Sequence, residues 1–209
     1  MSLFVKLCGI RSQAELESAV EAGADAVGLV LTPSPRQVSL SQAGILMGLL
    51  PGHVLGVAVF HEPSIELIRR VEAEVRPDLF QADLGSLRSV APDRVLPVVV
   101  DDDNVEDSLQ RALDATTREM ALVDSAAKGG TGRAADWARL AGLARRDRMI
   151  LAGGLSPANV GEAVSRVRPL GVDVSSGIES RPGVKNPQLM TAFVRAARAG
   201  AESRGEMLR

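Results

Sequence analysis

The sequence predicts an α/β protein folded as a single (β/α)8 TIM barrel, on three observations. Short apolar, β-branched stretches recur along the chain, each followed by a segment whose apolar residues fall at helical spacing. Helix-starting serines and prolines stand between them. The length, 209 residues, suits one domain at the short end for such a barrel, so residues 1–209 need no second domain. An open doubly wound sheet is the structural alternative. Eight strand–helix units without a long insertion favour closure.

In chain order the expected strands are Phe4–Cys8, Ala26–Leu31, Leu55–Phe60, Leu79–Ala82, Val95–Val100, Met120–Asp124, Met149–Ala152 and Gly171–Ser175. Ser12 with Glu15, and Ser39 with Gln42, have the spacing of capping boxes. Ser156-Pro157 offers an N-cap followed by proline in the first turn. The charged tail, 200–209, is expected to fray.

Composition excludes several classes. Lys and Arg total 24 against 26 Asp and Glu, a formal charge of −2, which is no basic footprint for nucleic acid or an anionic membrane. Small molecules are the expected partners, and monomer and homodimer both stay open. The single cysteine, Cys8, forms no intramolecular disulfide, which fits a reducing cytoplasm. The N-terminus reaches Lys6 and Arg11 too early for a signal-peptide core, and no apolar run approaches the roughly 20 residues of a membrane span. His53 and His61 are too isolated for a metal pair. The run Asp101-Asp102-Asp103 reads as a solvated loop, with Asn104 placed to cap the next helix.

In a parallel barrel the reacting groups stand where strands end and helices begin, because only those loops converge on one face. That rule selects Cys8 at the end of the first strand as a base or nucleophile, with Lys6 one layer below positioned to favour a thiolate. The alternative is a small core side chain. Asp124 ends the sixth strand beside the glycine loop Lys128-Gly129-Gly130-Thr131-Gly132, an acid next to a lid. It can equally be a carboxylate that only ties down loop backbone. Gly153-Gly154 after the seventh strand and Ser176-Gly177 after the eighth present small residues where a phosphate can approach backbone N–H groups, at the loops where this barrel type recurrently binds phosphate. Arg36, after the second strand, carries a planar fork suited to a carboxylate; the alternative is a solvated loop arginine.

Together these motifs resemble the phosphoribosylanthranilate isomerase family. The resemblance rests on Val5 to Ile10, on Ala24 to Gly28 with Ser34-Pro35-Arg36, and on Asp124 with Gly129 to Gly132 and Asp136-Trp137. It continues through Leu151 to Leu155 with Asn159-Val160, and Gly171 to Glu179 with Pro182 to Lys185. It implies an Amadori rearrangement of N-(5′-phosphoribosyl)anthranilate in tryptophan biosynthesis, by proton transfer without a cofactor. By the same resemblance Asp124 is the general acid, Cys8 the general base and Arg36 the partner of the anthranilate carboxylate. Gly130, Gly153, Gly154, Ser176 and Gly177 fall on substrate-binding positions. Indole-glycerol-phosphate synthase and ribulose-phosphate epimerase are the related alternatives, and neither the lysines and glutamates of the first nor the metal-binding set of the second is recognisable.

Three places depart from the family's pattern. Gln81-Ala82-Asp83-Leu84-Gly85 stands where Gln-Leu-His-Gly is common, so Asp83 either points outward or belongs to a rebuilt wall. The loop at Asp101 is unusually acidic, and Asn186 replaces a frequent Asp while keeping the ability to cap the last helix.

Overall fold

A computed structural model describes residues 2–125 and 136–206, without the side chains of residues 204–206. Eight parallel strands close in sequence order into a barrel: β1 (Phe4–Cys8), β2 (Ala26–Val30), β3 (Leu55–Val59), β4 (Leu79–Asp83), β5 (Val95–Val100), β6 (Ala121–Asp124), β7 (Met149–Ala152) and β8 (Gly171–Val174). The closing seam pairs Lys6 of β1 with Asp173 of β8. Helices α1 (Gln13–Glu21), α2 (Leu40–Gly48), α3 (Ile65–Glu74), α4 (Val105–Asp114), α5 (Trp137–Ala141), α6 (Val160–Val167) and α7 (Pro187–Glu206) complete the regular elements of the described residues outside the barrel wall, apart from a few short turns and a hairpin.

Strand alternation sorts the side chains into two cores. Ala26, Val57, Leu79, Leu96, Leu122 and Ile150 fill the barrel. Val5, Leu7, Val27, Leu29, Phe80, Val123, Leu151 and Val172 face outward into the helix layer. On the helix side, α6 answers with Val160, Ala163, Val164 and Val167, all buried and spaced to form one face.

The helix starts follow the caps only in part. Ser12 and Ser39 accept from the N–H groups of Glu15 and Gln42 as expected, but the reciprocal arms go elsewhere: Glu15 accepts from the Arg11 N–H and Gln42 donates to the Arg11 carbonyl. Ser156-Pro157 opens a separate turn, and α6 begins after Asn159, whose side chain accepts from the Ser156 N–H. Asn104 precedes α4 without a side-chain cap bond; its own N–H donates to Asp102. Asn186 does cap α7, accepting from the Leu189 N–H. Residues 200–206 continue α7, and residues 207–209 lie outside the described residues.

Two connections break the strand–helix alternation. Between β4 and β5 the described residues include no α-helix, only a short 3-10 turn at Pro92–Arg94. Leu87 and Val90 of that connection join the core around Phe80 and Ala82, and the Arg94 guanidinium lies 5.1 Å from the centre of the Phe80 ring. After β8 the chain makes a 3-10 turn (Ser176–Ile178) and an antiparallel hairpin, β9 (Glu179–Arg181) and β10 (Val184–Lys185), before α7 starts.

Candidate active site

At the C-terminal mouth of the barrel a cavity of about 210 Å³ is walled by Asp124, Gly153, Gly154, Ser176, Gln81 and Asp173, among others. The end-of-strand rule thus brings four of the expected site residues together, from β6, β7 and the turn after β8. Cys8, Arg36 and Gly177 do not line this cavity, and Gly130 lies outside the described residues. Larger hollows beside Leu84 lie along the helix-free β4–β5 side, away from these residues.

Cys8 faces the barrel interior and is 6% exposed. A methyl group on Gly28 of the neighbouring strand would stand 2.8 Å from its sulfur and 3.1 Å from Lys6 Nζ, so a side chain there would displace both groups. Lys6 is fully buried and donates to Asp173 Oδ1 at 2.8 Å. Burial acts to lower the Lys6 pKa, yet the Asp173 carboxylate and the neighbouring Cys8 outweigh it and hold the ammonium above its ordinary value. Burial raises the Cys8 pKa, with the nearby Asp173 charge adding to the effect, and outweighs the lowering pull that Lys6 exerts in the expected sense. Asp173 was not singled out from the sequence, although a carboxylate between two valines of an apolar strand is a visible signal.

Arg36 is not a solvated arginine. Its Nε and Nη2 donate to the two carboxylate oxygens of Glu179 at 2.6 and 2.9 Å, so that edge of the fork is engaged within the protein. Lys185 Nζ reaches the same Glu179 at 2.8 Å and also donates to the Ser175 carbonyl at 2.9 Å. Burial works against ionisation of Glu179, but Arg36 and Lys185 overcome it and bring its pKa down to about 2. Burial prevails at Lys185 and pushes its ammonium below its ordinary value despite Glu179.

The small-residue loops divide in their roles. Gly154 has φ +65° with open space where a side chain would begin, as suits backbone approached by a ligand. At Gly177 a Cβ would lie 1.9 Å from the Leu155 carbonyl oxygen; that glycine locks the turn after β8 against the loop after β7. Asp83 is exposed and engaged locally, accepting from the backbone N–H and the hydroxyl of Ser86, so the strand-four departure is a turn at the rim. Asp101 is tied to Arg139 rather than solvated, and burial raises its pKa against that cation's pull. His53 and His61 are exposed, and the described residues hold no metal-binding cluster.

The match to the family described as N-(5′phosphoribosyl)anthranilate (PRA) isomerase runs over residues 5–196, from β1 into α7. The chain belongs to the N-(5′-phosphoribosyl)anthranilate isomerase family. A relative of that name from Roseiflexus castenholzii is 38% identical, over 95% of this chain and all of its own length. The crystal structure of the phosphoribosyl anthranilate isomerase from Thermotoga maritima superposes with a TM-score of 0.79 at 36% identity, covering 93% of this chain and 98% of that one. A further solved isomerase, in complex with reduced 1-(o-carboxyphenylamino)-1-deoxyribulose 5-phosphate, gives 0.77 at 35% with the same coverage. Phosphoribosylanthranilate isomerases are aldose–ketose isomerases of tryptophan biosynthesis, and every described site residue named above falls inside the matched span. No helix among the described residues is long and apolar enough to cross a membrane.

Proposed function

We propose that this chain converts N-(5′-phosphoribosyl)anthranilate into 1-(o-carboxyphenylamino)-1-deoxyribulose 5-phosphate, with Asp124 as general acid and Cys8 as general base. The observation that carries the reading is Asp124 at the wall of a mouth cavity bounded by the glycine turn of β7 and the serine turn of β8, in a chain that matches the family over residues 5–196. Asp124 gives its proton to the ribose ring oxygen as the C1′–O bond breaks, and the nitrogen lone pair forms the C=N bond of a Schiff base. Cys8, as thiolate, removes the C2′ proton; the C–H electron pair closes the enolamine and returns to nitrogen the electrons of the C=N bond. Tautomerisation gives the ketose. The phosphate is placed against backbone N–H groups at Gly153-Gly154 and Ser176. The anthranilate carboxylate goes to Arg36, through Nη1, the guanidinium nitrogen that Glu179 does not hold. The buried free thiol supports a reducing cytoplasmic setting.

The test is turnover of freshly prepared phosphoribosylanthranilate, followed by loss of anthranilate fluorescence, in the wild type and in Cys8→Ser and Asp124→Asn. A wild-type protein with no turnover sinks the substrate assignment. Variants at wild-type kcat sink the roles and leave the substrate standing.

A further inference from the structure

The hairpin after β8 is an addition to the repeating strand–helix plan, and its two strands begin and end on Glu179 and Lys185. Both side chains turn inward: Glu179 is 5% exposed and Lys185 fully buried. The Glu179 carboxylate reaches across to the loop after β2 and takes Arg36 by both oxygens. Two further contacts fasten the hairpin to the same loop and to the end of β1. Arg11 donates to the Gly183 carbonyl at 3.0 Å, and the turn at Gly183 lies so near Pro35 that a Cβ there would come within 2.5 Å of the Pro35 carbonyl oxygen. Beneath them Gly9, at φ +82°, leaves the space through which Arg36 passes; a Cβ would stand 2.7 Å from Arg36 Cδ and 3.2 Å from Lys185 Nζ.

We infer that Glu179 is a positioning residue for substrate selection, fixing Arg36 so that its remaining N–H edge is aimed before the aromatic carboxylate arrives. The inference rests on the reading of Arg36 as the carboxylate partner. A free arginine side chain gives up considerable rotamer freedom when a ligand immobilises it, and one already held in a fork does not. Lys185 completes the arrangement by holding Glu179 from the opposite side, so the carboxylate stays with the protein instead of yielding Arg36 to the ligand. The low pKa of Glu179 keeps that anchor charged throughout the neutral range.

Charge and geometry predict opposite results for Glu179→Gln. The three groups carry one net positive charge, and the substitution raises it by one, so charge alone tightens the binding of an anionic ligand. Loss of aim weakens it. The probes are reduced 1-(o-carboxyphenylamino)-1-deoxyribulose 5-phosphate and the same compound without its carboxylate, with Kd measured for each on wild type, Glu179→Gln, Arg36→Ala and the double variant.

The expected result is a loss of roughly ten-fold or more in Glu179→Gln for the carboxylate compound. Affinity for the carboxylate-free compound should be nearly unchanged, and the double variant no worse than Arg36→Ala, because the two side chains act as one unit. Equal losses for both compounds would make Glu179 a structural residue only. Unchanged or tighter binding of the carboxylate compound would show charge, not aim, to govern the site. Either outcome overturns the inference while Arg36→Ala still discriminates the two compounds. If Arg36→Ala fails to discriminate them, the carboxylate-partner reading falls first and the role of Glu179 falls with it.

Discussion

Lys6 Nζ donates to Asp173 Oδ1 at 2.8 Å across the seam that closes the barrel, with Lys6 fully buried. The ammonium's charge is thereby committed to a carboxylate and only secondarily available to the Cys8 sulfur. A pair of this kind is costly to break from one side, because the surviving charge is left without compensation in the interior.

Lys6→Met should therefore destabilise the protein by about 3–5 kcal/mol, and Asp173→Asn combined with it should recover much of that loss. Denaturant midpoints of the single and double variants measure this; a double variant as unstable as the sum of both singles would contradict it. The pH dependence follows from the raised Lys6 pKa. A raised ammonium contributes stability that is complete below the unfolded value and is lost as pH rises through the folded one. The contribution should be intact at neutral pH and decline only in strongly alkaline solution, above the ordinary value of 10.5.

Glu179 has the opposite sign. Its folded pKa is depressed from 4.5 to about 2, so its contribution is present above 4.5 and disappears as pH falls towards 2. Wild type should lose stability across that acid window more steeply than Glu179→Gln, which has nothing there to titrate. Parallel unfolding midpoints of the two proteins between pH 5 and about 2 would count against the buried Arg36–Glu179–Lys185 arrangement.

The two glycines expected to serve phosphate should respond differently to alanine. Gly177→Ala forces a methyl group into the Leu155 carbonyl and should cost about 3 kcal/mol or more, since backbone cannot give way as a side-chain tip does. Gly154→Ala meets no atom but keeps a positive φ, for about 1–2 kcal/mol, and its main effect should be on KM and on competitive inhibition by inorganic phosphate. Equal thermal shifts for both variants would erase the distinction.

The strands were legible because apolar alternation and barrel closure are local and repetitive: β1, β5 and β7 have the expected bounds. The end-of-strand rule placed Asp124, Gly153, Gly154 and Ser176 on one cavity. What escaped was pairing at a distance. Arg36 and Glu179 are 143 positions apart, and Lys6 and Asp173 are 167 apart, so no window of sequence contains both partners. The missing helix before β5 escaped for another reason: Leu84, Leu87 and Val90 have helical spacing but fill an irregular connection. Here tertiary packing overrides a local pattern.

The acid–base pair carries the last prediction. The Cys8 thiol is held above its ordinary 9.0 by burial, against the pull of Lys6, so at neutral pH the base is present mainly in its proton-bearing form. A base must be deprotonated to act, and kcat should therefore climb with pH on a limb that belongs to Cys8. Asp124 must carry the proton that it donates, so the acid and the base act in opposite protonation states. Cys8→Ser should lose kcat far more than it changes KM, because proton abstraction belongs to the transition state. Asp124→Asn should lower kcat by about 10²–10⁴-fold, the usual worth of a positioned acid, while leaving the Cys8 limb in place. Deuterium at C2′ checks that chemistry limits the rate: under that condition wild type shows a primary isotope effect. An Asp124→Asn enzyme with the wild-type kcat would remove Asp124 from the mechanism, and the source of the ring-opening proton would have to be sought elsewhere at the mouth.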